Sequence, residues 1–191
     1  MPLPQYTCAR YVVPLREGGS LPAVVDTVED GQEVVKLRGA GQGERALIAE
    51  VIVAELSHAL GLPTPDAAIL ELGEGFGKGE PDPEIQDVLR WSVGLNFGLR
   101  WLPGALPFDP AVDTNLSPDL AAEIVWLDAW LTNIDRTPRN PNLLVWHDQL
   151  WTCLFYTSDP ADQRPSVDIA ARRIPKKKTT QQTTCTTHTH T

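Results

Sequence analysis

The sequence predicts an α+β fold, in which a small antiparallel sheet with one helix comes first and a mainly helical region follows. Three features support this prediction: strand-like runs separated by turn residues open the chain, one long apolar segment follows them, and a helix-capping signal lies near residue 117. A length of 191 residues with 42% hydrophobic content suits about one folded domain. We assign this domain to residues 1–151.

Three short strands are predicted at the start of the domain. Residues 11–15 form an apolar run, turn-forming residues at 17–20 interrupt the pattern, and residues 23–28 form a second, β-branched run. Asp30-Gly31 is a tight-turn dipeptide, and EVVKL at 33–37 follows it. Because a turn joins each run to the next, we expect the three strands to pair antiparallel.

The first helix is predicted over residues 44–60, which have the length and apolar content of a mostly buried helix. Gly61 follows the last helical residue and Pro63 lies just beyond it, as is typical of a helix end. GAGQG at 39–43 is expected to be a flexible loop before the helix, and residues 67–72 are expected to be a fourth strand.

The rest of the domain has weaker patterns. Residues 73–83 are rich in Gly, Glu and Pro and predict a mobile surface loop, and glycines and prolines interrupt any regular element over 85–110. Ser117-Pro118 is a helix-capping pair and predicts a second helix to about residue 131. Its apolar stripe consists of Leu120, Ile124, Leu127 and Leu131.

A hairpin is predicted after the second helix. Residues 143–146 form one apolar run, a second begins at Leu150, and His147-Asp148 lies at the turn between them. No internal repeat is visible along the chain.

Composition and charge exclude several classes of protein. No window approaches the ~18 to 20 consecutive apolar residues of a membrane span, and the start MPLPQYTCAR lacks the features of a signal peptide. Cys8, Cys153 and Cys185 are too widely spaced to indicate a zinc site or a disulfide framework. A net charge of −9 disfavours a nucleic-acid partner. We therefore expect a cytoplasmic protein with neither a membrane nor a nucleic-acid partner.

Residues 152–191 differ in composition from the domain. They hold 6 of the 16 basic residues but 3 of the 25 acidic ones, and they end in the polar run KKKTTQQTTCTTHTHT. Such a run suits a disordered tail, and its His and Thr residues would also suit a metal-binding tract. The stretch TCLFYTSDPADQRPSVDIAARRIPKKK resembles translated sequencing-library adapter, so we interpret 152–191 as a non-native or disordered tail.

Two charged residues are expected to form a buried ion pair. Lys36 shares a strand face with Val34, and Glu50 projects from a mainly apolar face of the first predicted helix. An isolated buried carboxylate costs on the order of several kcal/mol unless it is paired, and Lys36 is the obvious partner. An edge-strand lysine is the alternative interpretation of Lys36. A strand Lys held by a helix Glu is the arrangement by which protein kinases position nucleotide phosphates.

A second polar group, NIDRTPRNPNLL, lies at 133–144 between the second helix and the hairpin. Asp135 is followed five residues later by Asn140 and then by an apolar strand, which is the layout of a kinase catalytic loop. An Asp in this position accepts a hydrogen bond from the attacking hydroxyl, and an Asn oxygen suits Mg²⁺, which prefers hard oxygen ligands. A polar loop of Asx and Pro turns is the alternative interpretation.

Gly18-Gly19-Ser20 lies between the first two predicted strands, where a kinase carries a loop whose backbone N–H groups face the nucleotide phosphates. A simple hairpin turn explains the same residues.

Taken together, residues 10–151 resemble the HipA-like kinases, a bacterial branch of the protein-kinase-like fold. The resemblance rests on the GGS turn and on the segments VVKLRG, AEVIVAELSHALGLPTPDAAIL, LNFGLRWLPGALPFDP and NIDRTPRNPNLL. It implies a two-lobed fold with a small antiparallel-sheet lobe and an incomplete, mainly helical C-terminal lobe. In such a truncated lobe the apolar stripe of the second helix would face solvent, so we expect aggregation or partial unfolding.

The resemblance also implies an activity and the residues that carry it. The natural parent of the chain would transfer the γ-phosphoryl group of ATP, with Mg²⁺, to a hydroxyl on a protein Ser or Thr or on a small molecule. The ATP-binding residues would be Gly18, Gly19, Ser20, Lys36 and Glu50, the catalytic residue Asp135, and the metal ligand Asn140 or, alternatively, Asn142.

One departure from the family pattern affects the expected activity. The family has a second metal-binding Asp, in an Asp-x-Gly type motif just past Trp151, and TCLFYT occupies that place here. Without this Asp, Mg²⁺ loses its main anionic ligand, so we expect the chain as given to be a very poor phosphotransferase.

Two other functions fit parts of the sequence. A nucleotide-binding pseudokinase would keep Lys36 and Glu50 but would not catalyse phosphoryl transfer. A non-enzymatic interaction module would use Trp91, Trp101 and Trp126 as exposed anchors. We favour the interaction module least, because Trp residues ordinarily fill a core.

Overall fold

Eight strands and three helices make up the part of the chain that the structure, a computed structural model, describes: residues 2–15, 21–29, 31–40, 43–112, 116–137 and 140–152. In chain order the elements are β1 (Gln5–Pro14), β2 (Ala23–Thr27), β3 (Gln32–Lys36), α1 (Glu44–Ala59), β4 (Ala67–Leu72), α2 (Pro83–Trp91), β5 (Gly94–Arg100), β6 (Leu106–Pro107), α3 (Pro118–Leu131), β7 (Leu143–Trp146) and β8 (Gln149–Thr152). The mixed α+β class and the sheet-rich start of the chain agree with the sequence prediction.

The first five strands close into a barrel in the order β1-β2-β3-β5-β4. The antiparallel pairing of β1 with β2 and of β2 with β3 confirms the prediction for the opening strands. Closure was not predicted: β1 begins at Gln5, earlier than expected, and residues 5–7 pair in parallel with β4. The barrel encloses a cluster of small and branched apolar residues: Cys8, Ala23, Val25, Val35, Leu37, Ala40, Ala68, Leu70 and Leu72.

α1 lies against the outer face of the barrel. Its buried residues Val53 and Ala54 pack with Phe97 and Leu99 of β5. The helix ends where the sequence predicts, because Gly61 takes a backbone φ of 74°, in the left-handed region that favours glycine. The helix therefore covers one side of the sheet that contains β3 and β5.

The expectation that no regular element forms over 85–110 is wrong, because α2 and β5 lie there. Asp82 caps α2, and its Oδ1 accepts the N–H of Glu84 at 2.9 Å. β5 pairs with both β3 and β4 although it contains Gly98. A Cβ at Gly98 would lie 2.5 Å from side-chain atoms of Leu70, so this glycine allows a close approach within the barrel instead of interrupting the strand.

The region after Arg100 is less helical than predicted, since its described residues form one helix and the three-stranded sheet β6-β7-β8. α3 is capped as predicted, with the Ser117 hydroxyl accepting the N–H of Leu120 at 3.2 Å. The predicted hairpin of β7 and β8 is present, and His147 and Asp148 at its turn both have positive φ, 49° and 59°.

The apolar stripe of α3 is buried, so the expectation that it faces solvent is wrong. Residues from the small sheet and from the segments before it cover this stripe, and the resulting cluster contains Leu62, Phe108, Ile124, Leu127, Leu143 and Leu150. The opposite face of α3 is the exposed one, with Trp126 and Trp130 stacked on each other at a centroid distance of 5.8 Å.

Tryptophan exposure also differs from expectation. Trp91 and Trp126 are 65% and 57% exposed, and Trp101 is partly buried, so the argument that Trp residues fill the core fails for the first two. None of the helices in the described residues has the length and apolar character needed to cross a bilayer.

Candidate functional site

Lys36 and Glu50 form a buried ion pair between β3 and α1. The Lys36 Nζ lies 2.5 Å from each carboxylate oxygen of Glu50, and both side chains are 5% exposed. Since side chains alternate along a strand, Val35 enters the barrel interior and Lys36 emerges beneath α1. The pairing predicted from the sequence is present, and the interpretation of Lys36 as an exposed edge-strand residue is wrong.

The electrostatics of this pair involve a third residue. Burial raises the pKa of Glu50 to about 7, Lys36 acts in the opposite direction by charge and hydrogen bonding, and the negative charge of Asp135 raises the pKa further. Asp135 therefore lies near enough to act on Glu50, although 85 residues of sequence separate them. The loop after α3 thus places Asp135 within electrostatic reach of the ion pair, and the sequence had singled out all three residues.

The packing of α3 explains this approach. Leu131, in the last turn of α3, packs against the cluster beneath α1 and also against the cluster around α3. α3 then ends at Thr132, whose left-handed conformation, with a φ of 54°, turns the chain out of the helix. The polar loop consequently begins next to the apolar cluster that α1 forms with β5.

Asp135 is held in this loop by a local hydrogen bond. Its backbone N–H donates to the Asn133 side-chain oxygen at 3.1 Å, and the residue is 8% exposed. This contact is an Asx turn, so the turn interpretation and the site interpretation of the loop are compatible.

The two candidate Asn residues occupy different environments. Asn140 is exposed, and its backbone exchanges hydrogen bonds with Thr137. Asn142 is 7% exposed, has a φ of 48°, and directly precedes β7. Within the described residues its Nδ2 is buried without a hydrogen-bond partner, which is unusual for a native polar group. Asn142 is therefore the better placed of the two to contact something bound in the site.

Sequence reasoning missed two residues that contact this loop, Asp128 and Arg136. The Arg136 Nε donates to Asp128 Oδ2 at 2.6 Å, and the two side chains are 15% and 16% exposed. A signal was available: Asp128 is a lone acid between Leu127 and Leu131 in an otherwise apolar segment of α3.

Several predicted features lie outside the described residues. They are the Gly18-Gly19-Ser20 turn and the tail beyond Thr152, including the place of the expected second metal-binding Asp. In the described part, no group of three or more His, Cys, Asp or Glu residues could hold a metal ion. Oxygen donors suited to Mg²⁺ are nevertheless present in Asp135 and Asn142.

The model of one protein family matches the chain. It describes the HipA-like kinases, and it covers residues 14–154, which is more than half of the chain. The chain belongs to the HipA-like kinase family. This membership, expected from the sequence, indicates a kinase-type function. No curated protein and no solved structure matches the chain.

Proposed function

We propose that this member of the HipA-like kinase family has a protein-kinase-like, two-lobed fold and binds ATP with Mg²⁺ between the barrel and the loop that follows α3. The observation that carries the proposal is the convergence of a buried Lys-Glu pair with an Asp of a separate loop. These three residue types perform the phosphate-positioning and hydroxyl-orienting roles in kinases. The family match supports the same assignment.

In this proposal Lys36 contacts the nucleotide phosphates, and Glu50 holds the ammonium group in place. Asp135 accepts the proton of the attacking hydroxyl. When bound, Mg²⁺ would neutralise charge on the phosphate oxygens. The burial of Asn142 directly before β7 favours this residue over the exposed Asn140 as the one whose side-chain oxygen would face the metal.

The proposed reaction is the transfer of the γ-phosphoryl group of ATP to a hydroxyl, with ADP as the leaving group. A protein Ser or Thr is our first proposal for the acceptor, and a small molecule is the second. A fold supports many acceptors, so the family alone does not choose between them.

The chain as given is proposed to bind nucleotide and to catalyse transfer very poorly. The proposed metal ligand Asn142 is neutral, and the described residues contain no group of three or more His, Cys, Asp or Glu side chains that could hold Mg²⁺. The same observation favours a second candidate function, a nucleotide-binding pseudokinase.

Calorimetric titration with Mg²⁺-ATP tests the proposal. We expect the unmodified chain to bind, K36A to lose at least about tenfold in affinity, and K78A, which removes an exposed lysine, to bind normally. Circular dichroism on the same samples shows whether each variant is folded. Absence of binding by a folded, unmodified chain would overturn the nucleotide-binding proposal.

A phosphoryl-transfer assay separates the enzyme from the pseudokinase. Measurable autophosphorylation that D135N abolishes, with ATP affinity retained, supports a phosphotransferase. A second variant carries a C-terminal segment that contains an Asp-x-Gly motif in place of its own. If this variant binds nucleotide but transfers no phosphoryl group, the result supports the pseudokinase.

A further inference from the structure

We propose that Asp128 is a positioning residue of the candidate site, whose carboxylate holds both Asn133 and Arg136 and thereby keeps Asp135 and Asn142 in place. The inference rests on the proposed function, since it assigns a role in the same site. Asp128 lies on α3, outside the 133–144 segment from which the sequence argument drew its candidates.

Each oxygen of the Asp128 carboxylate accepts a different hydrogen bond. Asn133 Nδ2 donates to Oδ1 at 2.8 Å, and Arg136 Nε donates to Oδ2 at 2.6 Å. The Asp128 and Arg136 side chains are 16% and 15% exposed, so solvent screens this ion pair less than a surface pair. Hydrogen bonds between charged partners are also the stronger kind.

The first arm of the network leads to Asp135. Once Asn133 donates its amide N–H to Asp128, its side-chain oxygen is directed away from the carboxylate. That oxygen accepts the backbone N–H of Asp135 at 3.1 Å. Asp128 therefore determines which way the Asn133 amide is oriented, and through it the backbone at Asp135.

The second arm leads to Asn142. The Arg136 Nη1 donates to the carbonyl oxygen of Pro141 at 2.6 Å and to that of Asn142 at 2.9 Å. Asn142 has a φ of 48°, which is unfavourable for a residue with a Cβ, although Asn tolerates it better than most. Two hydrogen bonds from a guanidinium that is itself anchored hold the backbone in this conformation.

As long as residue 133 is Asn, the hydrogen-bond pattern requires an acid at position 128. Both groups that face its carboxylate are donors, so two acceptor oxygens are needed. In D128N one terminal group becomes an NH₂ donor, which opposes either Asn133 Nδ2 or Arg136 Nε. In D128N/N133D the donor and acceptor roles at these two positions are exchanged, and every contact of the network can form again.

The test measures ATP affinity by calorimetry with Mg²⁺ and with EDTA in the full chain and in D128N. We expect D128N to keep the affinity measured in EDTA, which depends on Lys36, and to lose about tenfold or more of the enhancement by Mg²⁺. E123Q, an exposed acid on the same helix, should keep both values. D128N/N133D should recover part of the enhancement.

Hydrogen exchange at the Asp135 amide provides a readout that needs no nucleotide. We expect faster exchange at Asp135 in D128N, with the buried amides of α3 unchanged. Unchanged exchange at Asp135, an unchanged Mg²⁺ enhancement, or an equal loss of both ATP affinities would each overturn the inference. Failure of the unmodified chain to bind ATP would instead count against the proposed function, and the exchange result would still decide whether Asp128 positions the loop.

Discussion

Lys36 Nζ lies 2.5 Å from both carboxylate oxygens of Glu50, and the pair joins β3 of the barrel to α1 with little contact with solvent. Removing two charges from water is costly, and the attraction between them repays this cost only when the geometry is good. Such a pair is thus weak evidence for a stabilising role. The burial of the pair is better explained by a role in holding the Lys36 ammonium group in one position.

A double-mutant cycle tests how strongly the two residues depend on each other. At pH 8 we expect K36M to destabilise the fold by about 3 kcal/mol, because the buried Glu50 loses its cation and must either stay charged or bind a proton that the unfolded chain has released. K36M/E50Q should recover much of this loss, as the uncompensated charge is gone. Urea unfolding of the two single variants and of the double variant measures the coupling free energy between Lys36 and Glu50. K78M, at an exposed lysine, serves as the control. Additive effects would contradict the prediction.

Stability is expected to depend on pH through Glu50. Its pKa is about 7 in the folded chain, against an ordinary value of 4.5, so the folded state binds this proton more tightly than the unfolded state. The resulting stabilisation is fully present below pH 4.5 and is lost as the pH rises to about 7, with a total of up to about 3 kcal/mol.

E50Q isolates this dependence. The variant cannot titrate at position 50, so its free energy of unfolding should fall less between pH 4.5 and pH 7 than that of the unmodified chain. E55Q removes an exposed acid from the same helix and should keep the original slope. Identical slopes in E50Q and the unmodified chain would show that Glu50 does not carry the effect.

G98A should destabilise the barrel. The new Cβ would lie 2.5 Å from atoms of Leu70, which is fully buried and has no room to move. We expect a loss of about 1 to 3 kcal/mol by thermal or urea unfolding. G73A is the matched control, since nothing lies within 4 Å of a Cβ there. The shorter side chain in G98A/L70A should relieve the clash, and a neutral G98A would contradict the packing seen in the barrel.

N142G is expected to separate stability from ligand binding. Glycine adopts the φ of 48° without strain, and the buried Nδ2 that has no hydrogen-bond partner in the described residues is removed. These gains oppose the greater freedom of glycine in the unfolded chain, which costs about 0.5 to 1 kcal/mol, so the variant should be about as stable as the unmodified chain. It should lose the enhancement of ATP affinity by Mg²⁺. N140G, at the exposed Asn, should keep that enhancement, and the reverse result would assign the metal to Asn140.

The exposed face of α3 is predicted to carry the apolar surface that the sequence analysis assigned to its opposite face. W126Q/W130Q should change stability by less than about 0.5 kcal/mol and lower the binding of a dye that reports exposed apolar surface. L127Q, at a position 4% exposed, should destabilise the chain strongly. If the double variant unfolds as readily as L127Q, the assignment of the two faces is wrong.

Local signals in the sequence were sufficient for the elements that depend on local chemistry. The strands β2 and β3 on either side of Gly31, the end of α1 at Gly61 and the start of α3 at Ser117 each follow from residues within a few positions. The same kind of reasoning failed for β5, because a glycine viewed in isolation indicates a break in a strand. In the fold, Gly98 is needed because the Leu70 side chain of the neighbouring strand leaves no room for a Cβ.

For the candidate site, the sequence determined the chemistry and the tertiary structure determined the arrangement. A lone buried acid on an apolar helix face and a lysine on a strand already indicate an ion pair, since burial without a partner is too costly. Three other properties depend on residues far apart in the chain: the closure of the barrel by β1 and β4, the approach of Asp135 to Glu50, and the face of α3 that is covered. Long-range packing sets these properties, and no local pattern specifies it.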